Sequence, residues 1–303
     1  MSSSSKEKAR VAVVGYGNIG RYAVEALLAA PDLEPAGVIR RNPQRPPGLP
    51  DAIPVAGSLD ELRPVDVALL CTPSRTVPQM AAEYLAQGVH TVDSYDEHGI
   101  LVDMKRDLDE VARAHGRTAI IAAGWDPGTD SVVRALLEVM APQGVTITSF
   151  GPGTSMGHST LVRSLPGVQD ALSITLPVGD GSHRRLVYVE LEPGAQLAQV
   201  EQAIKSDRYF KNDETRVVAV PSVADLLDLG HGVEIQRKGV SGQTHNQRFS
   251  FSMQIQNPAL TAQIMTAAGR ACLRQRPGAY TMLEVPLIDF LPGDRDELLR
   301  RLV

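Results

Sequence analysis

Three short stretches of this chain combine residue types and spacings that can do chemistry. In "VAVVGYGNIGR" an apolar run leads into Gly15, Gly17 and Gly20, spaced G-x-G-x-x-G, with Tyr16, Asn18 and Ile19 between them. Such a loop binds a pyrophosphate when a strand precedes it and a helix follows. The first glycine makes the tight turn, the second lets the backbone approach the phosphates, and the third packs helix on strand. The helix adds free N–H groups and the positive end of its dipole. In "VDSYDEH" and "AAGWDPG" two more apolar runs end in acidic residues. The former offers Asp93, Asp96 and His98, and the latter Asp126 beside Trp125, the only tryptophan. A carboxylate beside a nicotinamide can orient a substrate ammonium and accept its proton as a carbon–nitrogen bond is oxidised. An indole wall excludes water, which strengthens such charge interactions. An equally open reading makes Asp126 the cap of a helix begun by Pro127.

The cofactor is read from the second strand. "AGVIRR" ends in Arg40 and Arg41, where an NAD site usually carries an acidic residue for the ribose 2′-hydroxyl. Two guanidinium groups can grip a 2′-phosphate by stacking on adenine and by charge-assisted hydrogen bonds. NADP is therefore expected, with a solvated surface pair as the alternative. "LLCTPS" places Cys71, Thr72, Pro73 and Ser74 at the carboxyl edge of a sheet, the edge where open α/β folds bind ligands. These residues are expected to line the cofactor crevice. There is no zinc-like Cys/His spacing, no G-x-S-x-G elbow and no P-loop lysine, so no metal is expected.

Elements must hold these residues in place. Strand-like "RVAVVG", "EPAGVIRR", "DVALLCTPS", "VHTVDSYD" and "RTAIIAAGW" alternate with helical "IGRYAVEALLAAPD", "VPQMAAEYLAQG" and "LVDMKRDLDEVARAHG". Near-continuous apolar strands alternating with helices mean a Rossmann-like, doubly wound parallel sheet covered on both faces. After one more helix, "DPGTDSVVRALLEVMAPQG", the texture changes. "VTITSF", "LSITLP", "RRLVYVELE", "TRVVAVPS", "GVEIQRKG" and "RFSFSMQIQ" read as a mostly antiparallel α+β domain. The helix "ALTAQIMTAAGRACLRQR", stopping at Pro277-Gly278, the strand "AYTMLEVP" and a C-terminal helix are expected to return to the first domain. The expected division is 1–122, completed by about 259–303, and 123–258.

Bulk properties agree with a globular protein of this size. The 303 residues can bury two cores, and 43% hydrophobic with 21% charged residues is an ordinary balance. A net charge of −5 argues against nucleic acid or a membrane surface as the main partner. No apolar run reaches the ~18 residues of a membrane span. "MSSSSKEKAR" lacks the apolar core of a signal peptide and reads as a frayed tail, so a cytoplasmic protein is expected. Cys71 and Cys272 are expected to be reduced thiols rather than a disulfide.

Several stretches together resemble the meso-2,6-diaminopimelate dehydrogenase family: "VAVVGYGNIGR", "HTVDSYDEH", "AAGWDPG", "GPGTSMGHS", "RSLPGVQDALSITLP", "NPALTAQIMTAAGRA" and "GAYTMLEVP". They run in order from residue 10 to about residue 286. The resemblance implies NADP-dependent, reversible oxidative deamination of a D-configured centre in an amino dicarboxylate, within lysine and cell-wall precursor metabolism, by a homodimer. It implies that Asp96 and Asp126 hold the reacting ammonium with Trp125 beside them. It also implies that Arg185 binds the far carboxylate of the substrate, that Thr175, His231 and Asn257 anchor the same end, and that Met156 and Gly157 lie by the substrate. The second domain would then bind substrate and dimerise. Taken from the residues alone, Arg185 is equally a surface strand residue, His231 a satisfied loop histidine and Asn257 a helix cap. The chain departs from the family pattern at Gly99, Ile100 and Leu101, where an acidic residue is frequent, and at Phe150, where a tryptophan is usual. It departs again before His231, where "GHG" replaces a longer loop. Two other readings compete: a glucose-fructose-oxidoreductase-type enzyme, disfavoured because Trp-Asp stands where a lysine donor would be wanted, and a dinucleotide-sensing module without catalysis.

Overall fold

Alternating apolar strands and amphipathic helices build, in the computed structural model, a seven-stranded parallel sheet followed by two smaller sheets. Residues 8–178, 181–226 and 231–303 are described. Residues 1–7, 179–180 and 227–230, which include the first glycine of "GHG", lie outside them. In chain order the elements are β1 (Ala9–Val14), α1 (Asn18–Ala29), β2 (Leu33–Ile39), β3 (Val55–Ala56), β4 (Val67–Leu70), α2 (Val77–Ala86), β5 (His90–Asp93), α3 (Leu101–Ala114), β6 (Thr118–Ile120) and α4 (Thr129–Met140). There follow β7 (Gln143–Phe150), β8 (Gly153–Thr154), α5 (Met156–Arg163), β9 (Val168–Pro177), β10 (His183–Leu191), α6 (Leu197–Ser206), β11 (Glu214–Ala219), β12 (His231–Ser241) and β13 (His245–Ile255). The chain ends with α7 (Asn257–Cys272), β14 (Gly278–Tyr280) and α8 (Arg295–Leu302). It divides into two compact units, the segment up to Val132 with Pro258–Val303, and Val133–Asn257.

In the first unit the strand order is β14-β6-β5-β4-β1-β2-β3, and each pairing is parallel. Alternate side chains serve two cores, as the two-residue period of a strand requires. Val11, Val13, Leu69, Val92 and Ile120 pack with Val24 and Leu27 of α1 and Met265 and Ala268 of α7. Ala12, Val14, Ala68, Leu70 and Ile121 pack with Ala81 and Leu85 of α2 and Met104 and Leu108 of α3. Both faces are covered, so these strands are apolar throughout rather than alternating. The order reverses at β1, flanked by β2 and β4, and the carboxyl ends of β1 and β4 therefore form the topological switch point.

The second unit carries a four-stranded sheet, β11-β10-β9-β8, and a three-stranded one, β13-β12-β7. All pairings are antiparallel except β10 with β11. Val162 of α5, Val189 of β10 and Ile204 of α6 close one core with Phe210. Three details differ from the sequence expectation. Helix α7 ends at Cys272 rather than running to Arg276. The expected strand "AYTMLEVP" pairs only over Gly278–Tyr280, because Thr281 and Glu284 form a reciprocal capping box that turns the chain. Helix α4 begins at Thr129, not at Pro127.

Candidate active site

The glycine loop joins β1 to α1 at the switch point. Gly15 has φ +92°, and a Cβ there would meet the Cys71 carbonyl oxygen at 2.5 Å, so only glycine fits. A Cβ on Gly20 would meet the Gly15 oxygen at 2.2 Å, which locks the start of α1 onto the loop. Gly17 is different. It is exposed, nothing lies within 4 Å of its would-be Cβ, and as N-cap of α1 it makes no side-chain cap bond. The first turn of α1 holds no acidic residue. The start of α1 thus has open space beside Gly17 and no negative side chain in its first turn, which suits the approach of a pyrophosphate to the helix N-terminus. Tyr16 and Ile19 pack partly against the core below, and Asn18 is exposed at the first helical position. Arg40 and Arg41 follow β2 at the same carboxyl edge; the Arg40 guanidinium donates to the Gln44 carbonyl at 3.0 Å, and Arg41 is exposed.

At the end of β4, Cys71 donates its amide to the Val14 carbonyl at 2.8 Å, tying this strand end to that of β1. Burial pushes the Cys71 thiol up to about 12, which keeps it protonated, and neither cysteine is in a disulfide. Thr72 and Pro73 lead into a short turn in which the Thr76 hydroxyl donates to the Pro73 carbonyl at 2.8 Å. The Ser74 hydroxyl donates to Asp96 Oδ1 at 2.6 Å, and the Asp96 amide points back at Ser74 Oγ at 3.4 Å. Ser74, expected to line the cofactor crevice, thus also fixes the orientation of a candidate catalytic carboxylate. Arg75 and the buried Glu97 pair across the same two strand ends at 3.5 Å.

Asp93 is not a candidate for contact with a ligand. It is fully buried, and its Oδ1 accepts from the Tyr95 amide at 3.0 Å and the Ala122 amide at 2.9 Å. Burial raises its pKa to about 6. Its work is to tie the end of β5 to the segment leaving β6, where Ala122 is held at φ +53°. From there Gly124 to Gly128 close on themselves. The Gly124 amide donates to the Pro127 carbonyl at 3.3 Å, and a Cβ on Gly128 would overlap the Gly124 oxygen at 1.8 Å. Trp125 is buried at 5% exposure, and its carbonyl accepts from the Asp130 amide at 3.0 Å as α4 begins. Asp126 lies half-buried at the turn, two residues short of the position before Thr129 that a cap would occupy. Asp96 and Asp126 therefore leave adjacent parallel strands, β5 and β6, at the edge that carries the glycine loop.

The second unit gathers most of the other expected residues. Arg185 and Thr175 are directly opposite in the β9–β10 pair, and the Arg185 Nη1 donates to the Thr175 hydroxyl. Arg185 Nε donates to Asp213 Oδ2 at 2.6 Å, with side chains 13% and 22% exposed. Sequence reading missed Asp213; its distance of 28 residues from Arg185 leaves no local signal. His231 is buried, and its Nδ1 accepts from the Gly232 amide at 3.1 Å, which leaves the ring proton on Nε2. Burial, then the charges of Arg185 and His183, lower its pKa to about 4. The Phe150 ring meets that of His183 at a tilt, centroids 5.3 Å apart, and His183 Nε2 accepts from the Phe150 amide at 3.0 Å. His183 is a second residue the sequence reading did not single out. Gly151, with φ +96°, lies so close to the Thr175 carbonyl that a Cβ would meet it at 2.3 Å. Met156 and Gly157 open α5, half-buried, beside His158. That histidine lies between the Ser155 hydroxyl at 2.8 Å and the Tyr209 carbonyl at 2.9 Å. Asn257 is the first residue of α7, the position adjoining the expected cap, ahead of Pro258.

Comparison with known proteins follows the same two-part division. Residues 9–121 match a model described as an oxidoreductase family with an NAD-binding Rossmann fold. Residues 124–181 match the diaminopimelic acid dehydrogenase C-terminal domain. Over 298 residues the chain is 56% identical to a meso-diaminopimelate D-dehydrogenase of Bacteroides fragilis, covering 98% of this chain and 100% of that one. Its identity to the enzyme of the same name from Ureibacillus thermosphaericus is 32% over 326 residues, with 98% and 99% covered. Among solved structures, the C. glutamicum DAP dehydrogenase in complex with DAP superposes with a TM-score of 0.87 at 30% identity, covering 98% and 100%. An engineered D-amino acid dehydrogenase bound to NADP+ gives 0.88 at 29% identity with the same coverage.

Proposed function

The chain belongs to the meso-diaminopimelate D-dehydrogenase family, and on that premise we propose that it carries out the reversible, NADP-dependent oxidative deamination of the D-centre of meso-2,6-diaminopimelate, yielding L-2-amino-6-oxopimelate and ammonia. The geometric observation that carries this reading is the pair Asp96 and Asp126, set at the carboxyl edge of the sheet that holds the glycine loop. Competing oxidoreductase chemistry on a sugar would want a lysine there, and a sensor would have no use for two such carboxylates.

The dinucleotide, when bound, supplies the two-electron acceptor for the D-configured carbon. The amides of Gly15 to Gly20 would hold its pyrophosphate, Cys71 to Ser74 would line its crevice, and Arg40 and Arg41 would grip the 2′-phosphate. Asp96 and Asp126 would hold the substrate ammonium and take its proton as the carbon–nitrogen double bond forms; water then adds to that carbon and ammonia leaves. Trp125, already buried, would exclude bulk water from the carboxylates. Arg185 and Thr175, with His231 and Asn257, would anchor the distal end of the substrate, and Phe150, Met156 and Gly157 would line its path. Neutral His231 suits a hydrogen-bond donor from Nε2 better than a second cation. A dimer through the second unit accords with the exposure of Val139 at 79% and Val145 at 63%, on α4 and β7.

The test is an NADP-linked assay over meso-diaminopimelate, its LL and DD isomers, and simple D-amino acids. The meso isomer should be oxidised best and the LL isomer not at all. Equal rates on LL and meso substrates would remove the assignment of a D-centre.

A further inference from the structure

We infer that Asp213 is a positioning residue for substrate recognition, acting through Arg185; this rests on the reading that Arg185 grips the distal carboxylate. A guanidinium carries five N–H donors, one on Nε and two on each Nη. Asp213 takes the Nε hydrogen at 2.6 Å and Thr175 takes one from Nη1. Three donors stand outside these two bonds, both on Nη2 and one on Nη1, and charge-assisted bonds from them can hold a second carboxylate. The Asp213 bond occupies Nε, so an incoming carboxylate cannot bind side-on across Nε and Nη2 and is directed to the Nη nitrogens.

The chain delivers Asp213 to this place by two independent constraints. Strand β11 pairs in parallel with β10, with Thr215 in register with Arg185 two residues after Asp213. Before it, the turn from Asp207 is closed by the Phe210 and Lys211 amides on the Asp207 carbonyl, each at 3.0 Å, and the Asp213 amide donates to the Phe210 carbonyl at 3.0 Å. Phe210 is buried in the core, which fixes the turn from below. The Thr215 hydroxyl also donates to the Asp213 carbonyl at 3.2 Å. The half-buried His158 and the buried His231 both feel the Arg185 charge, and desolvation holds both below the ordinary imidazole range. Arg185 is thus paired before substrate arrives, and its direction is set in advance rather than found on binding.

This arrangement also changes how a substitution at Arg185 must be read. Arg185→Met removes the substrate grip and leaves the Asp213 carboxylate without its cation, so the single variant mixes two effects. A double-mutant cycle separates them. Steady-state kinetics on the full-length enzyme, with NADP saturating, give KM and kcat for meso-diaminopimelate and KM for NADP. Asp213→Ala should raise KM for meso-diaminopimelate about tenfold, with kcat within about threefold and KM for NADP within about twofold. Asp213→Asn, whose amide oxygen still accepts from Nε, should restore KM to within about threefold of the parent. On an Arg185→Met background, Asp213→Ala should add less than about twofold.

An unchanged KM in Asp213→Ala, an Asn variant as impaired as the Ala variant, or additive losses in the double variant would each overturn the positioning role. So would a parallel rise in KM for NADP, which would mark a general loss of structure. If Arg185→Met itself left KM for meso-diaminopimelate unchanged, the distal-carboxylate reading would fall and the role of Asp213 with it. A raised KM in Arg185→Met beside a silent Asp213→Ala would remove Asp213 alone.

Discussion

At the residue scale, each candidate carboxylate is defined by what it touches. Asp93, Asp96 and Asp126 stand within one sequence pattern, yet Asp93 is buried on two backbone amides while Asp96 meets the Ser74 hydroxyl at the sheet edge. Asp126→Asn keeps the shape of the side chain and removes its charge and proton-accepting capacity. Turnover should fall by about 10²–10⁴, the usual contribution of a positioned acid–base group, with NADP affinity and melting temperature preserved. Because α4 begins beyond Asp126, loss of a helix cap cannot account for such a result. Near-parent turnover would remove Asp126 from the chemistry. Arg40 and Arg41 make the second prediction. Changing both to alanine should weaken NADP(H) binding by ~2–4 kcal/mol, as for one or two charge-assisted hydrogen bonds, and leave NAD(H) binding nearly unchanged. Calorimetry giving equal affinity for the two cofactors in the parent protein would contradict the assignment.

At the element scale, the loop between β1 and α1 separates folding from binding within a few residues. Gly20 has the Gly15 oxygen where a Cβ would go, so Gly20→Ala forces α1 away from the loop. It should cost about 1–3 kcal/mol in denaturant-measured stability, the usual range for overpacking. Gly17 has nothing within 4 Å. Gly17→Ala should therefore fold normally while binding NADP at least about tenfold more weakly, because the methyl group would stand where the phosphates approach. Circular dichroism melts and cofactor titrations on the two variants check this contrast; equal loss of stability in both would show that Gly17 is structural. These glycines, their strand and their helix were legible in the sequence, because a continuous apolar run gives way to a helix period across the loop. The closed turn from Gly124 to Gly128 was not. It depends on Asp93 reaching the Ala122 amide, a contact between separate strands.

At the scale of the whole molecule, titratable groups drawn partly or wholly out of water set the response to acid. His90, His158 and His231 have pKa values lowered to about 4, with burial the largest cause in each, against an ordinary 6.5. The unfolded chain takes up their protons first as pH falls. Each therefore contributes stability that is complete above pH 6.5 and is lost between 6.5 and about 4, on the order of a few kcal/mol per residue. Asp93 works in the opposite direction. Its pKa is raised from 3.8 to about 6, so its contribution is present at low pH and lost as pH rises through that window. Three histidines outweigh one carboxyl, and the protein should be less stable at pH 5 than at pH 7. Denaturant titrations at the two values measure this; equal or greater stability at pH 5 would contradict it. In the second unit, Val139→Glu on the exposed face of α4 should shift sedimentation from dimer towards monomer without lowering helix content. A parent protein that sediments as a monomer would remove the dimer proposal.

Composition, apolar runs, helical periodicity and the glycine loop were enough to reach a doubly wound parallel sheet, its helical cover and the change to mostly antiparallel pairing after α4, though the two-residue edge strand β3 was not read. Those signals are local: a strand covered on both faces writes a continuous apolar run and a helix face writes its period into consecutive residues, and a phosphate turn demands glycine whatever lies far along the chain. The partner of a side chain is a different kind of information. Thr175 faces Arg185 because β9 and β10 pair in one register, and Asp213 reaches the same guanidinium through a parallel strand and a turn anchored by Phe210. Ser74 meets Asp96 because β4 and β5 are neighbours in the sheet. Whether an acidic residue after a strand faces a ligand or ties two strands together depends on which backbone amides lie within about 3 Å of it, and only the pairing of distant segments brings those amides there.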